Sequence, residues 1–205
     1  QENVFDCEFV SVKKCCSKNN LKTQLISVHS ISKGFSGECG QRGGYMELHN
    51  IDDELTSLLE KSASMGLCAN ISGQLLVGLL TEEKDEVYNA EYAYKYDMMK
   101  HKSIYLYNRL RQIDNLMCNP PKGSMYLFPK IIYTDKLLGL AKDADMEIDT
   151  YYCMQLLERY GICCVPGNGF GQKERTYHFR ITFLPSFEQI KYITESIQKL
   201  HTEIM

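Results

Sequence analysis

Residues 29–48 read HSISKGFSGECGQRGGYMEL. In this run Ser30-Ile31-Ser32-Lys33 is followed by Arg42, so two hydroxyls, an amine and a guanidinium share one glycine-rich segment. A lysine forms a Schiff base with a carbonyl carbon, and its amine becomes nucleophilic when desolvation or nearby cations lower its pKa. Serine hydroxyls and an arginine fork suit a phosphate. The set therefore suits a molecule that is both an aldehyde and a phosphate ester. A bare SxSK is more often a turn-rich loop with a solvated lysine, so the surrounding segments must carry the rest.

On either side of the run the pattern is β. Leu25, Ile26 and Val28 lie in a short β-favouring stretch, KTQLISVHS, and residues 44–49 (GYMELH) read as a second strand. Between them Gly34, Gly37, Gly40, Gly43 and Gly44 make a connector that neither helix nor strand tolerates. The expectation is strand, long glycine loop, strand. Asp52, Asp53 and Glu54 then open a helix to about Ser64, with acids where the helix dipole favours them. A further helical stretch begins at Gly73 and runs to Leu80, and residues 4–12 read as loop with room for a short helix.

From Glu82 to Asn115 charge and tyrosine dominate. Tyr92, Tyr96, Met99, Tyr105 and Leu106 recur near helical spacing, which predicts one or two long helices with a packing stripe. Asn119-Pro120-Pro121-Lys122-Gly123 is the strongest breaker and a hinge candidate. Beyond it, Met125–Ile132 reads as a strand. Thr150–Tyr160 reads as a helix with Tyr151, Met154, Leu156 and Leu157 on its apolar face. Gly161–Val165 reads as a buried strand and Tyr177–Phe183 (YHFRITF) as another. Ser186 caps a last helix striped by Ile190, Ile193, Ile197 and Leu200. The chain is therefore α/β, in three parts: 1–80, 81–118 and 119–205.

Composition removes several alternatives. With 205 residues and a net charge of -3 there is enough chain for a core and no basic stripe for nucleic acid. Lys13, Lys14, Lys18 and Lys22 read as a solvated face. Nine cysteines are an odd number, and the adjacent pairs Cys15-Cys16 and Cys163-Cys164 are poorly placed to bridge. No CxxC or paired Cys/His spacing suggests a metal. Reduced thiols, no signal peptide and no apolar run of the ~20 residues needed to span a bilayer fit a cytoplasmic location.

The run around Lys33 resembles the lysine loop of fold-type I aminotransferases dependent on pyridoxal 5'-phosphate (PLP), in particular the alanine aminotransferase branch, S-K-G-x-x-G-E-C-G-x-R-G-G-Y. Two further segments agree in order. Residues 119–129 (NPPKGSMYLFP) resemble N-P-x-x-G-A-M-Y-x-F-P. Residues 161–185 (GICCVPGNGFGQKERTYHFRITFLP) resemble G-I-C-V-V-P-G-x-G-F-G-Q followed by Y-H-F-R and L-P. The resemblance implies the C-terminal part of that fold: a remnant of the large mixed-sheet domain followed by an α+β small domain. Lys33 matches the lysine that holds the cofactor covalently and shuttles the substrate's α-proton. Ser30 and Arg42 match phosphate ligands, and Arg180 matches the arginine that grips the substrate carboxylate. The implied reaction is amino transfer between L-alanine and 2-oxoglutarate, with amino acid and 2-oxo acid as partners, in a homodimer without metal.

Two departures from that pattern stand out. Arg175 occupies a position where the family has glycine, which costs ~1 kcal/mol or more if the backbone needs a positive φ. The aspartate that pairs with the cofactor's pyridine nitrogen, the ring-stacking aromatic and a second phosphate loop belong upstream of Gln1 in the family's order. The competing expectations are a folded fragment without catalysis, or another fold-type I enzyme that shares Lys33.

Overall fold

The computed structural model describes residues 8–33 and 37–205. The chain divides into two compact units, Gln1–Tyr92 and Ala93–Met205.

In the first unit, α1 (Val12–Lys18) begins where the Ser11 hydroxyl accepts from the Lys14 N–H at 3.0 Å. The short helix thus lies later than the 4–12 segment, of which residues 4–7 fall outside the described residues. Its lysines are solvated, Lys13 pairing with Glu47 and Lys14 with Glu8. Strands β1 (Leu25–Ser30) and β2 (Gly44–His49) form an antiparallel hairpin in unbroken register from Leu25↔His49 to Ser30↔Gly44. Helix α2 (Asp53–Ala63) is capped by Asp52, whose carboxylate accepts from the Leu55 N–H at 2.8 Å. Helix α3 (Ile71–Thr81) starts two residues before the expected Gly73, because Asn70 caps it by accepting from the Ser72 N–H at 3.1 Å. The unit leaves Val28, Met65, Leu67, Ile71 and Leu75 largely exposed.

Helix α4 (Glu86–Leu110) is one continuous helix of 25 residues. In its second-unit stretch Met99, Ser103, Leu106 and Leu110 are buried, at the three- and four-residue spacing of one helical face. The tyrosines expected on that stripe flank it and are half-buried.

The second unit is built on an antiparallel sheet. Its elements are β3 (Leu116–Met117), β4 (Tyr126–Leu127), β5 (Lys130–Ile131), α5 (Asp135–Asp143), α6 (Ile148–Tyr160), β6 (Val165–Pro166), β7 (Tyr177–Thr182) and α7 (Phe187–Ile204). β3 pairs with β5, and β4, β5 and β6 all pair with β7. β4 and β5 keep one register along β7, from Tyr126↔Thr182 to Ile131↔Tyr177, so they are one strand interrupted at Phe128-Pro129. Proline has no N–H to give to the ladder, yet the Pro129 carbonyl still accepts from the Phe179 N–H at 3.1 Å.

Two expectations need correction. The strand read over Gly161–Val165 is only Val165–Pro166. Gly161 turns left-handed (φ 66°) to end α6, and the Ile162 N–H is committed to the Leu156 carbonyl at 3.2 Å. Ile162 and Cys164 are buried all the same. On the face read for α6, Tyr151 and Leu156 are buried and Met154 half-buried, with Ile148, Tyr152 and Cys153 added to it, whereas Leu157 is 42% exposed. Helix α7 follows expectation except that Ile193 is only half-buried. Ser186 and Gln189 form a reciprocal capping box, and Ile190, Ile197 and Leu200 are fully buried.

Arg175 adopts φ 57°, the left-handed conformation that favours glycine. Replacing Arg175 with Gly is expected to raise stability by about 1 kcal/mol, read as a higher denaturant midpoint at unchanged m-value.

Burial lowers the pKa of His201, which lies against the Tyr152 hydroxyl (3.1 Å from Nδ1), although Asp114 opposes the shift. Burial and then the Lys130 ammonium lower that of His178, against Asp149. Both imidazoles therefore bind protons more readily in the unfolded chain, and the stability they contribute is complete above the unfolded pKa of about 6.5. It is lost as pH falls from there through the lower folded values. Denaturant titrations from pH 7.5 to 5 should show a declining free energy of unfolding, with a smaller decline in His201→Asn.

Candidate active site

The lysine loop hangs from the ends of the hairpin. Past Ser30 the chain leaves β1 in a turn that buries Ile31 and brings the Ile31 N–H to the Gly43 carbonyl at 3.2 Å and the Glu38 N–H to the Ile31 carbonyl at 2.9 Å. The Ser30 Oγ accepts from the Ser32 N–H at 3.1 Å, and among the described residues its own O–H has no acceptor. Lys33 follows on the exposed side of the turn. Residues 34–36 lie outside the described residues. After Gly37 (φ 61°) a single 3-10 turn, Cys39–Gln41, leads to Arg42, itself left-handed at φ 51°.

That backbone folds the Arg42 guanidinium back over the loop. Its Nη1 donates to the Ser32 Oγ at 3.3 Å and to the Cys39 carbonyl at 3.0 Å. The Cys39 thiol lies 3.1 Å from the Ser32 carbonyl as a donor. Ser30 and Arg42 are thus joined through Ser32, and Lys33 is its neighbour in the chain, with its backbone N–H 3.4 Å from the Ser30 carbonyl. The serines at alternate positions were the only hint, and the left-handed Arg42 could not be read from composition.

The loop is pressed onto α3 by glycine. A Cβ on Gly43 would stand 2.5 Å from the Gly73 carbonyl oxygen, and a Cβ on Gly73 would stand 2.5 Å from the Gln41 and 2.9 Å from the Arg42 carbonyl oxygens. The Asn70 side chain donates to the same Gln41 carbonyl at 2.9 Å. Gly73 costs α3 about 1 kcal/mol of helix propensity, and in return the backbones of helix and loop touch.

Arg180 belongs to the second unit. It lies on β7 opposite Val165, half-buried, with its guanidinium 4.5 Å from the Tyr126 ring centroid and 5.1 Å from that of Phe170. Rings attract the charge of a guanidinium without using its N–H groups, which suit a planar acceptor such as a carboxylate. Phe170 comes from the Gly167–Phe170 3-10 turn, which leads into a strand and not into a helix. No dinucleotide-type helix N-terminus follows these glycines. Tyr45 faces His29 across the hairpin, ring centroids 5.2 Å apart, as a packing residue.

The fold defines a class of protein. A solved alanine aminotransferase from Pyrococcus furiosus matches 98% of this chain and 47% of its own, with a TM-score of 0.75 at 25% identity. The architecture is that of the fold-type I PLP aminotransferases. The sequence then gives the family: the model for aminotransferase class I and II matches residues 1–197, and the chain belongs to that family. It is 42% identical to a probable mitochondrial alanine aminotransferase of Dictyostelium discoideum over the whole of this chain and 41% of the relative. It is 40% identical to a protein of Saccharomyces cerevisiae named inactive alanine aminotransferase, over 90% of this chain and 39% of that one. The chain therefore spans about two-fifths of the length of these curated relatives. Among the described residues no helix is long and apolar enough to cross a membrane.

Members of this family work with PLP, and the residues of the lysine loop fit it. Among the described residues the Arg42 guanidinium meets a hydroxyl and a carbonyl rather than a carboxylate, so its charge is available to a phosphate.

The glycine contact gives a direct test. Gly73→Ala should lower stability by about 1–3 kcal/mol, because backbone atoms must move. Gly78→Ala, in the same helix with open space around it, should gain up to about 1 kcal/mol. Thermal unfolding of the two variants separates the outcomes.

Proposed function

We propose that this chain supplies the cofactor lysine, part of the phosphate site and the substrate-carboxylate arginine of an aminotransferase that moves an amino group between L-alanine and 2-oxoglutarate. The observation that carries this reading is the hydrogen-bonded join of Ser30 and Arg42 through Ser32, the chain neighbour of Lys33. The high identity to proteins named alanine aminotransferases supports the choice of amino donor. PLP, when bound, supplies an electron sink for the substrate's α-carbon.

The chain's own residues would do the following. Arg42 and the free O–H of Ser30 hold the phosphate, and their direction is fixed before binding by the Ser32 contacts, so little order is lost on association. The Nζ of Lys33 accepts the proton leaving the α-carbon of the amino acid and returns it on the other side of the reaction. One residue serves as base and then as acid because the two half-reactions are mirror images. Arg180 holds the α-carboxylate in a bidentate pair. Lysine would be a poor replacement there, since it lacks the planar fork.

The test is covalent trapping. The protein is mixed with PLP and reduced with borohydride, and the modified lysine is mapped by mass spectrometry beside Lys33→Ala. Stoichiometric labelling confined to Lys33, and absent from the variant, is expected. Labelling spread over surface lysines and unchanged in Lys33→Ala would leave the chain with the family's fold and none of its chemistry.

A further inference from the structure

Asp149 is fully buried in the first turn of α6. A carboxylate removed from water is costly unless donors surround it. Here Oδ1 accepts from the Thr150 N–H at 2.9 Å, and Oδ2 accepts from the Asn168 N–H and from the Gln172 Nε2, each at 2.8 Å. Stabilising the helix end would require only the bond within α6. The two bonds at Oδ2 instead reach across to the loop that precedes β7, and Asn168 adds a third link by donating to the Thr150 Oγ1 at 3.0 Å.

The same loop is held from its other side. Because Gln172 must present its NH2 to the carboxylate, its Oε1 faces the His178 Nδ1, at 2.8 Å. The Nδ1 is then the donor. His178 stacks on Phe128, centroids 4.8 Å apart and planes 2° from parallel, and Phe128 meets Phe170 edge to face at 5.5 Å. There is no room for adjustment beneath: a Cβ on Gly167 would overlap the Gln172 Oε1 and lie 2.9 Å from the His178 carbonyl oxygen. Phe170, within this loop and against Phe128, is one of the two rings near the Arg180 guanidinium.

We propose that Asp149 is a positioning residue for Arg180: it locks the 167–172 loop, sets Phe170 against the guanidinium, and thereby fixes the direction in which Arg180 meets a carboxylate. The effect on substrate rests on the reading of Arg180 given above, whereas the effect on Phe170 does not. In Asp149→Asn one of the two oxygens becomes an NH2, so a donor faces a donor either at Thr150 or at the Asn168–Gln172 pair, and the loop loses its anchor.

The experiment follows the Arg180 Nε–H signal in the 15N-labelled protein, assigned by its loss in Arg180→Lys. Phe170→Ala shows how far the signal moves when that ring's shielding is removed. Asp149→Asn should move it most of the way to the same position. Gln172→Ala, at a half-exposed site, should give a smaller displacement in the same direction and serves if Asp149→Asn does not fold. Titration with 2-oxoglutarate, followed on the same signal, should give affinity roughly tenfold weaker in Asp149→Asn than in wild type. An unmoved Arg180 signal in folded Asp149→Asn, or in Gln172→Ala if that is the variant that folds, overturns the proposal. Equal 2-oxoglutarate affinity in wild type and Arg180→Lys, measured by titration calorimetry because the variant lacks the arginine signal, overturns the carboxylate reading of Arg180 instead.

Discussion

Strand β7 pairs on both edges, with β4 and β5 along one side and β6 along the other. Its register is the constraint on which the second unit depends. Side chains alternate across a strand, so Phe179 and Ile181 face the core with Phe183 just beyond, all nearly or fully buried, while His178, Arg180 and Thr182 take the opposite face. A slip of one residue would exchange the two sets. It would bury Arg180 and expose two large apolar side chains, each worth about 2 kcal/mol or more when buried. The arginine is therefore placed by the hydrophobic residues beside it. Helices α6 and α7 complete the core through Tyr152, Leu156, Ile190 and Ile197, all fully buried.

The first unit relies on a different device. Its sheet is a single hairpin, a form that rarely stands alone in water, and Val28 on β1 is 78% exposed. What holds the lysine loop in shape is local: the buried Ile31, the left-handed Arg42 and the backbone contact at Gly43 and Gly73. Polar groups in the loop satisfy one another through Ser32. Such a loop depends on close backbone approach more than on apolar area. Glycine is the residue type that permits that approach.

Much of this was legible in the chain itself. The strands around 25–30 and 44–49, the caps at Asp52 and Ser186, and the stripe of α7 follow from period and capping chemistry, which act within a few residues. The misses have a common cause. Strand β3 is two residues long and exists by pairing with β5, and the 161–164 stretch is buried without a ladder because its neighbour helix claims the Ile162 N–H. Helix α5 is a short helix capped by Thr134, with only Leu137 and Ala141 buried, too weak a stripe to read. The left-handed strain suspected at Arg175 is present.

For function the division is similar. The sequence alone determined which chemical groups are available: the serines, lysine and arginine of residues 30–42, and an arginine in a strand of alternating pattern. Motif order was enough to indicate the family, because three separate segments resemble it in sequence order. Only the tertiary structure decided what each group touches. Ser32 under Arg42, Gly73 against the loop, and Asp149 behind Phe170 join residues far apart in the chain, through contacts with no periodic trace. Asp149 reads in sequence as an ordinary acid at a helix start. Its burial and its two bonds to the 167–172 loop exist because packing α6 against β6 and β7 removes the carboxylate from water and leaves that loop as its source of donors.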